Sequence, residues 1–309
     1  MIQVHNLCKQ YHGHLVLKGI DFTIQKGEFY GLLGPNGAGK TTTISILSNL
    51  LQADEGDIQI AGFDLKKQSR ACKQSIGVVP QEIALYEELS AWDNLLFWGS
   101  LYDVPTKLLK SRINETLELF GLTERKQDKI KTYSGGMKRR VNIASAILHQ
   151  PKVLFMDEPT VGIDPQSRNL IYEVIEKLHK EGLTFLYTTH YMEEAERFCT
   201  KIGVIDDGKI IAEGSLSELK KLGNVSETIE IKFNEVSDLA LVKLKEFWPK
   251  GDYSNSQKFL FYSTEVHQDL AKIILKCNDL GLDILHIEIQ KVNLESVFLQ
   301  LTGKQLRDA

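Results

Sequence analysis

One stretch of sequence decides the fold of this chain: Tyr30-Gly31-Leu32-Leu33-Gly34-Pro35-Asn36-Gly37-Ala38-Gly39-Lys40-Thr41-Thr42. It begins as a short apolar strand and enters a glycine-rich turn that ends in Lys-Thr, which is the G-x-x-x-x-G-K-[ST] phosphate loop. Backbone N–H groups can surround a triphosphate only where the chain approaches it closely, and Gly34, Gly37 and Gly39 permit that approach. The helix that follows points the positive end of its dipole at the phosphates. We therefore expect Lys40 to reach the β- and γ-phosphates and the Thr41 hydroxyl to bind Mg²⁺.

The bulk properties fit a soluble α/β protein with a second, smaller domain. The chain has 309 residues, 25% of them charged, and a net charge of -4, so nothing globally basic indicates a nucleic-acid partner. Its cysteines are far apart and form no C-x-x-C pair, which favours reduced thiols in the cytosol. We expect no secretory signal at the N-terminus and no apolar run long enough to cross a bilayer. A role at a membrane would therefore depend on a partner.

Strands alternate with helices over residues 1–222, which predicts a mainly parallel sheet. Residues 1–30 alternate in β fashion, and residues 82–150 have a helical pattern. The helix after the phosphate loop carries Ile44, Leu47 and Leu51 on one face, with Ile46 and Leu50 beside them.

The composition changes around Leu222-Gly223-Asn224, where we place the start of a second unit, residues 223–309. Its patterns follow the order β-α-β-α-β-α, ending in a helix with Leu294, Val297, Phe298 and Leu301. This order indicates a small α/β plait. The unit has no evident catalytic cluster, so we expect a dimerising or regulatory role.

Two carboxylates follow the apolar run Val153–Met156, which is typical of a strand buried on both faces. Asp157 is placed to hold Mg²⁺ from the side opposite the phosphate loop. Glu158 can polarise the water that attacks the γ-phosphate, as a general base. The alternative is a solvated strand end before Pro159, and the phosphate loop argues against it.

A second anion-binding loop is indicated by Ser134-Gly135-Gly136-Met137, which precedes a helical run. One chain would then carry two phosphate-binding loops for one nucleotide. A head-to-tail dimer is the economical arrangement, with this loop closing on ATP held by the other subunit. The motif set over residues 1–222 resembles the ATP-binding-cassette (ABC) family.

The resemblance implies roles for further residues. Tyr11 matches the aromatic residue that stacks on adenine, although it could be an ordinary strand aromatic. Gln81 matches the glutamine that contacts Mg²⁺ and the attacking water, and Ser134, Gly135 and Gly136 match the signature loop. Asp164 lies in Val161-Gly162-Ile163-Asp164-Pro165, which is similar to the loop that passes signals between the two sites. His190 matches the switch histidine on the γ-phosphate, a role that its position after a strand favours over a structural one.

The resemblance also implies a fold: an α/β P-loop NTPase domain with a mainly parallel core sheet, an antiparallel β subdomain and a helical subdomain, followed here by the plait. The family's commonest signature begins with Leu, whereas Tyr133 precedes Ser134 here. This feature resembles the ATPases of drug- and antibiotic-resistance exporters. The tail Val292–Leu299, followed by Leu301-Thr302-Gly303, is similar to the tail of those proteins.

Other motifs have plainer interpretations. We assign most of the stripe Trp92, Phe97 and Trp98 to the core, whereas the loop Ile83–Leu89 lies where family members meet the coupling helix of their membrane partner. Lys138-Arg139-Arg140 is expected to be solvated or paired with nearby acids. The histidines His5, His12, His14 and His149 show no metal-ligand spacing.

The leading hypothesis is an ATP-hydrolysing subunit of an ABC exporter, with ATP and Mg²⁺ as ligands. It would act at the cytoplasmic face of the cell membrane, as a homodimer or with another ABC ATPase, on a separate transmembrane permease. Drugs or antibiotics are the expected substrates; sodium, lipids and polysaccharides stay open. One alternative is a soluble machine acting on ribosomes or DNA, against which the single phosphate loop and the absence of a heptad segment argue. Another is a non-hydrolysing regulatory cassette, against which Asp157, Glu158 and His190 argue.

Overall fold

The computed structural model describes residues 1–222, 227–249, 251–255, 257–263, 265–290, 294–295 and 297–298. The chain divides into a compact unit Met1–Leu216 and a second unit that begins at Ser217. The sequence places the boundary after residue 222, and that position stays a prediction. The composition change at Gly223-Asn224 and most of the tail motif, including Val292, Leu301 and Gly303, lie outside the described residues.

The first unit contains two sheets. The larger has the order β10-β9-β3-β8-β7-β6, in which only β10 runs antiparallel to its neighbour; the smaller, β2-β1-β4-β5, is antiparallel. The strands are β1 (Ile2–Tyr11), β2 (His14–Ile24), β3 (Phe29–Leu33), β4 (Glu55–Ile60), β5 (Phe63–Asp64), β6 (Ile76–Val79), β7 (Val153–Asp157), β8 (Thr184–Thr189), β9 (Lys201–Asp206) and β10 (Lys209–Gly214). The mainly parallel core sheet and the separate antiparallel sheet are therefore confirmed.

Helices surround the parallel sheet, and the region from α3 to α5 forms the predicted helical part. The helices of the first unit are α1 (Lys40–Leu47), α2 (Ser69–Ser75), α3 (Ala91–Ser100), α4 (Thr106–Leu119), α5 (Gly135–Ile147), α6 (Pro165–Lys180) and α7 (Met192–Phe198), with short 3-10 turns at Thr123–Arg125 and Ile130–Thr132. Helix α8 (Leu216–Leu222) begins at the boundary, and all but its first residue belong to the second unit.

Alternation along the parallel strands sends side chains into two cores, one on each face of the sheet. Phe29, Phe185 and Tyr187 face the core shared with α3 to α6. Tyr30 and Phe155 face the core shared with α1 and the antiparallel sheet. Burying each large side chain stabilises the fold by roughly 1.5–3 kcal/mol, so the strands that carry the site are held from both faces.

The carboxyl ends of β6, β7, β8 and β3 meet at one edge of the sheet because these strands are parallel neighbours. The residues after each strand therefore converge: Gln81 after β6, Glu158 after β7, His190 after β8, and the phosphate loop after β3. Ligands bind at this edge in open α/β sheets.

Two expectations about apolar residues are wrong. Helix α1 ends at Leu47, and Asn49 takes a left-handed conformation (φ 55°) that turns the chain away, so Leu50 is 76% exposed rather than beside the buried face. Phe97 is also exposed, and its ring lies edge-on to that of Tyr86, with 5.0 Å between the ring centroids. Trp92, from the same stripe, does pack against the core.

After α8, the second unit has the order β-α-β-β-α-β over residues 227–290. Its elements are β11 (Glu227–Phe233), α9 (Asp238–Phe247), β12 (Gly251–Asp252), β13 (Lys258–Ser263), α10 (Val266–Asp279) and β14 (Ile284–Gln290). They form an antiparallel sheet in the order β12-β13-β11-β14. The short strand β12 was absent from the predicted order, because two residues give no periodic signal.

Leu47 and Leu50 provide a direct test of the fold. Leu47→Ala should lower the free energy of unfolding by about 2–5 kcal/mol, because Leu47 is fully buried and its loss leaves a cavity. Leu50→Ala should change it by less than about 0.5 kcal/mol. Urea unfolding of both variants measures the difference, and equal losses would contradict the observed end of α1.

Candidate active site

A cavity of about 740 Å³ opens at the carboxyl edge of the parallel strands. Its lining combines the phosphate loop with the residues that follow β6, β7 and β8. The lining residues are Val16, Asn36, Gly37, Gly39, Lys40, Thr41, Thr42, Gln81, Glu158, Val161, His190 and Tyr191. Most of the predicted nucleotide-contacting residues are thereby brought together, with Gly34, Pro35 and Ala38 in the same loop.

The phosphate loop takes its shape from glycines. Gly39 has φ 110°, a conformation that side chains other than glycine rarely adopt, and α1 begins at the next residue. At Gly34, a Cβ atom would lie 2.2 Å from the carbonyl oxygen of Ile205, so only glycine fits there. The loop therefore packs against β9 at Gly34 and leads directly into α1 after Gly39.

Lys40 is buried at the centre of the site, with 4% of its surface exposed. Its Nζ donates to the carbonyl oxygens of Gly34 (2.9 Å) and Pro35 (3.2 Å), and it lies 3.1 Å from Glu158 Oε1. A buried ammonium group needs such partners to offset its desolvation. The arrangement presents a fixed positive charge to the cavity.

Glu158 lies between Lys40 and His190. Its Oε2 is 3.0 Å from His190 Nδ1, and its backbone has φ 44°, in the left-handed region. The Glu158 N–H donates to both the carbonyl and the hydroxyl oxygen of Thr188, at 3.1 Å each, and these bonds hold the unusual conformation. A carboxylate held at a cavity wall in this way can accept a proton from a water molecule.

Asp157 lies beneath the phosphate loop and is almost fully buried. Thr188 Oγ1 donates to Asp157 Oδ1 at 2.6 Å, and the Thr41 hydroxyl is a second hydrogen-bond partner. Burial raises the pKa of Asp157 above its ordinary value, against the opposing effect of the two hydroxyl groups. A buried carboxylate beside a hydroxyl is an oxygen donor set that suits Mg²⁺, so these residues fit the predicted metal ion.

Gln81 is exposed at the cavity, and its backbone is held by α5. The buried guanidinium of Arg139 donates to the carbonyl oxygens of Pro80 (2.6 Å) and Gln81. Burial lowers the pKa of Arg139. The expectation that the basic run is solvated or paired with acids is therefore wrong for Arg139, whereas Lys138 does pair with Glu87 at 2.5 Å.

The signature-like loop forms a second group, away from the cavity lining. Ser134 caps α5, its hydroxyl accepting from the Met137 N–H at 3.3 Å, and Asp164 caps α6 in the same way by accepting from the Ser167 N–H at 2.9 Å. Gly136 packs so closely on the start of α6 that a Cβ would lie 2.0 Å from Ser167 Oγ. Ser134, Gly135, Gly136 and Asp164 all belong to the described part of the chain, and none of them lines the cavity.

Tyr11 is also outside the cavity lining. Its ring is 40% exposed at the end of β1, and Lys9 Nζ lies 5.6 Å from the ring centroid. An exposed aromatic face is compatible with base stacking, and its role stays a prediction.

Several residues of the site were missed. Val16 and Tyr191 line the cavity, as does Val161, which was predicted only as part of the loop between the two sites, and Thr188 binds both Asp157 and the Glu158 N–H. Thr188 could have been found, because a threonine at the carboxyl end of a buried strand beside a carboxylate strand suggests a hydroxyl partner. Over the described residues, no group of three His, Cys, Asp or Glu side chains could hold a metal ion, and no helix has the length and apolarity of a membrane span.

Comparisons with known proteins identify relatives that align along most of the chain. The family model described as ABC transporter matches residues 17–161. The linearmycin resistance ATP-binding protein LnrL of Bacillus subtilis (strain 168) is 44% identical over 100% of both chains. The daunorubicin resistance ATP-binding protein DrrA3 of Streptomyces coeruleorubidus is 34% identical, covering 99% of this chain and 97% of the relative. A Nod factor export ATP-binding protein I from Burkholderia lata is 38% identical, and the alignment covers 99% of this chain and 98% of the relative.

Solved structures show the same relationship. An ATP-binding subunit of an ABC transporter has a TM-score of 0.67 and 29% identity, and covers 72% of this chain and 93% of its own. A dimeric ATP-binding cassette in a post-hydrolysis state, bound to ADP and Pi, has a TM-score of 0.64 and 26% identity. The match covers 70% of this chain and 99% of that structure's chain. The chain belongs to the ABC transporter family and is an ATPase.

Because the pKa of Asp157 is raised, a variant without this charge should be more stable than the wild type, by an amount that depends on pH. A carboxyl group with a raised folded-state pKa contributes its full stability below its ordinary pKa of 3.8 and loses it as the pH rises through the folded value. Asp157→Asn should therefore exceed the wild type in free energy of unfolding at pH 7, with the gap shrinking toward pH 4. Urea unfolding in EDTA without nucleotide measures the gap.

Asp164→Asn is the matched control, because the backbone N–H of Ser167 lowers the pKa of Asp164. At Asp164 the effect on stability has the opposite sign, because a carboxylate with a lowered pKa stabilises the fold above its ordinary pKa. Asp164→Asn should therefore lose stability at pH 7. An Asp157→Asn protein that is less stable than the wild type at pH 7 would contradict the prediction.

Proposed function

We propose that this ABC transporter ATPase powers efflux through a separate transmembrane permease, as a homodimer or paired with another ABC ATPase. The observation that carries the proposal is the separation of its two phosphate-binding loops. The cavity is lined by the phosphate loop but by none of Ser134, Gly135 and Gly136. In a head-to-tail dimer each chain supplies the phosphate loop of one site and the signature-like loop of the other.

In this proposal the cavity residues divide the work of binding and hydrolysis. Lys40 and the loop N–H groups bind the β- and γ-phosphates of the substrate ATP. Thr41, Asp157 and Gln81 would hold Mg²⁺, which neutralises charge on the phosphate oxygens when bound. Ser134, Gly135 and Gly136 approach the phosphates from the other subunit.

Glu158 acts as general base on the attacking water. As the water oxygen bonds to the γ-phosphorus, a proton passes to the Glu158 carboxylate, the bond from the γ-phosphorus to the bridging oxygen breaks, and ADP leaves. His190 contacts Glu158 Oε2 at 3.0 Å and is placed to hold the γ-phosphate. Tyr11 stacks on the adenine, and Asp164 carries the state of one site to the other.

An exposed apolar patch supports the permease as partner. We define the aromatic patch as Tyr86, Leu89, Phe97 and Leu101, which are exposed in the loop before α3, on α3 and at the residue that follows it. The half-buried Trp98 ring stacks on Tyr86 with 6.4 Å between centroids. Apolar patches of this kind mark protein interfaces, and a permease here would place the chain at the cytoplasmic face of the membrane.

Drugs or antibiotics are the proposed substrates, because relatives that align over nearly the whole chain are named for linearmycin and daunorubicin resistance. The Nod factor export proteins keep other exported compounds as the second candidate. A machine acting on ribosomes or DNA is disfavoured by the single phosphate loop. A dimerising or regulatory role for the second unit stays a prediction.

Replacing the proposed base should separate binding from hydrolysis. Glu158→Gln keeps the size of the side chain but removes the proton acceptor, so turnover should fall roughly 100-fold or more, while Mg-ATP binding persists and a dimer accumulates. Steady-state ATPase assays and light scattering with Mg-ATP measure both effects.

Lys40→Ala is the control for that experiment, because loss of the buried ammonium should weaken nucleotide binding and abolish the dimer. Unchanged turnover in Glu158→Gln would reject Glu158 as the base. A protein that stays monomeric with saturating Mg-ATP, even beside its membrane partner, would reject the clamped dimer.

The partner and substrate can be tested together. Affinity purification from native membranes should recover a membrane permease, and Tyr86→Ala with Phe97→Ala should reduce that recovery. Leu239→Ala, an exposed apolar residue of the second unit, is the matched control. Co-expression of chain and permease should raise resistance to linearmycin or daunorubicin, and Glu158→Gln should remove the gain. Recovery of ribosomes or DNA instead would overturn the proposal.

A further inference from the structure

Glu194 is a buried carboxylate that takes no direct part in the proposed binding and hydrolysis of ATP. It lies in α7 with 2% of its surface exposed, and four hydroxyl groups donate to it. Thr160 Oγ1 and Tyr172 OH (2.7 Å) donate to Oε1, whereas Tyr187 OH (2.9 Å) and Thr189 Oγ1 (2.7 Å) donate to Oε2. Each carboxylate oxygen therefore accepts two hydrogen bonds, which fills its lone-pair sites.

The four donors are neutral hydroxyl groups. Burial and the neighbouring Glu194 raise the pKa of Tyr187 and of Tyr172, so both phenols stay protonated and donate. A buried carboxylate is costly unless hydrogen bonds satisfy it, so this cluster is stable only when its donors are in place. The carboxylate therefore constrains the segments that carry those donors.

Two of the donors belong to the turns that carry the proposed catalytic residues. Thr160 lies two residues after Glu158 in the turn closed by the Val161 N–H to the Glu158 carbonyl oxygen, at 3.4 Å. Thr189 immediately precedes His190, and its hydroxyl also accepts from the Tyr191 N–H at 2.9 Å.

The hydrogen bonds at Glu194 thus join one turn to the other. The side chains that the two turns present, Glu158 and His190, are 3.0 Å apart at the cavity. Glu194 itself is not part of the cavity lining.

We propose that Glu194 is a positioning residue for ATP hydrolysis, whose carboxylate holds the turn of Glu158 and the turn of His190 at a fixed separation. The inference rests on the proposed function, in which Glu158 accepts the proton and His190 holds the γ-phosphate. A displacement of about 1 Å in a catalytic geometry is enough to cost on the order of 100-fold in rate. The phosphate loop, which makes most of the proposed nucleotide contacts, belongs to neither turn, so the loss should fall on kcat and leave KM for ATP nearly unchanged.

The sharpest test is a matched pair at Thr160. Thr160→Val keeps the shape but removes the hydroxyl, and should lower kcat about 10-fold or more with KM for ATP unchanged. Thr160→Ser keeps the hydroxyl and loses only a methyl group, and should retain kcat. If the residue served packing alone, the order would reverse, with Val active and Ser impaired. That reversal, or equal losses, would overturn the proposal.

Tyr172→Phe is the control, because it removes a donor from the same carboxylate but lies on α6, outside both turns. It should lower thermal stability as Thr160→Val does, with a smaller effect on kcat. Glu194→Gln, with one acceptor oxygen instead of two, should lower kcat with KM unchanged. Full-chain ATPase kinetics, nucleotide titration and thermal melts of each variant supply the readouts.

The outcomes separate this inference from the proposed function. Loss of turnover in Glu158→Gln with normal kcat in Thr160→Val would overturn the positioning role and leave the general base in place. Normal turnover in Glu158→Gln would overturn the proposed function itself. Equal falls in kcat for Tyr172→Phe and Thr160→Val would show that stability alone governs the effect, and would overturn the positioning role.

Discussion

The chemistry of this protein depends on four parallel strands ending at one edge of a sheet that is buried on both faces. Because β6, β7, β8 and β3 are neighbours with the same direction, the residues that leave each strand are forced together. That edge collects a lysine, two carboxylates and a histidine, which repel or attract one another at short range. The apolar cores on both faces, with side chains such as Phe29 and Phe155, supply the stability that offsets the cost of burying these groups.

Hydrogen bonds from hydroxyl groups hold several of these charged side chains in place. Thr188 donates its hydroxyl to Asp157 and accepts from the Glu158 N–H with both of its oxygens, so one residue of β8 holds the Asp157 carboxylate and the backbone of Glu158. Glu194, outside the cavity lining, is likewise held by four hydroxyl groups. Neutral hydroxyls stabilise a carboxylate without cancelling its charge, which leaves Asp157 free to bind a cation.

Features encoded by a local pattern could be predicted from the sequence, whereas contacts between residues far apart in the chain could not. The phosphate loop, Asp157, Glu158 and the parallel sheet follow from glycine spacing and from apolar runs that end in polar residues. Arg139 could not be placed from its basic neighbours, because its partners are backbone carbonyls after β6, far away in sequence. The exposure of Leu50 was mispredicted because the left-handed residue Asn49 ends the helical periodicity that the pattern assumes. Glu194 has partners on α6, on β8 and in the turn after β7, which no single window of sequence displays.

Arg139 also links the edge of the cavity to the helix that begins at the signature-like loop. Its guanidinium holds the backbone of Pro80 and Gln81 at the cavity, and its helix, α5, begins at the signature-like loop. The backbone at Gln81 is therefore held in place by α5, the helix that Ser134 caps. Under the proposed head-to-tail arrangement, Ser134 belongs to the other nucleotide site. The same buried cation therefore joins the edge of the cavity to the segment that the proposal assigns to the neighbouring site, and Gly136 packs that segment on the start of α6, where Asp164 lies.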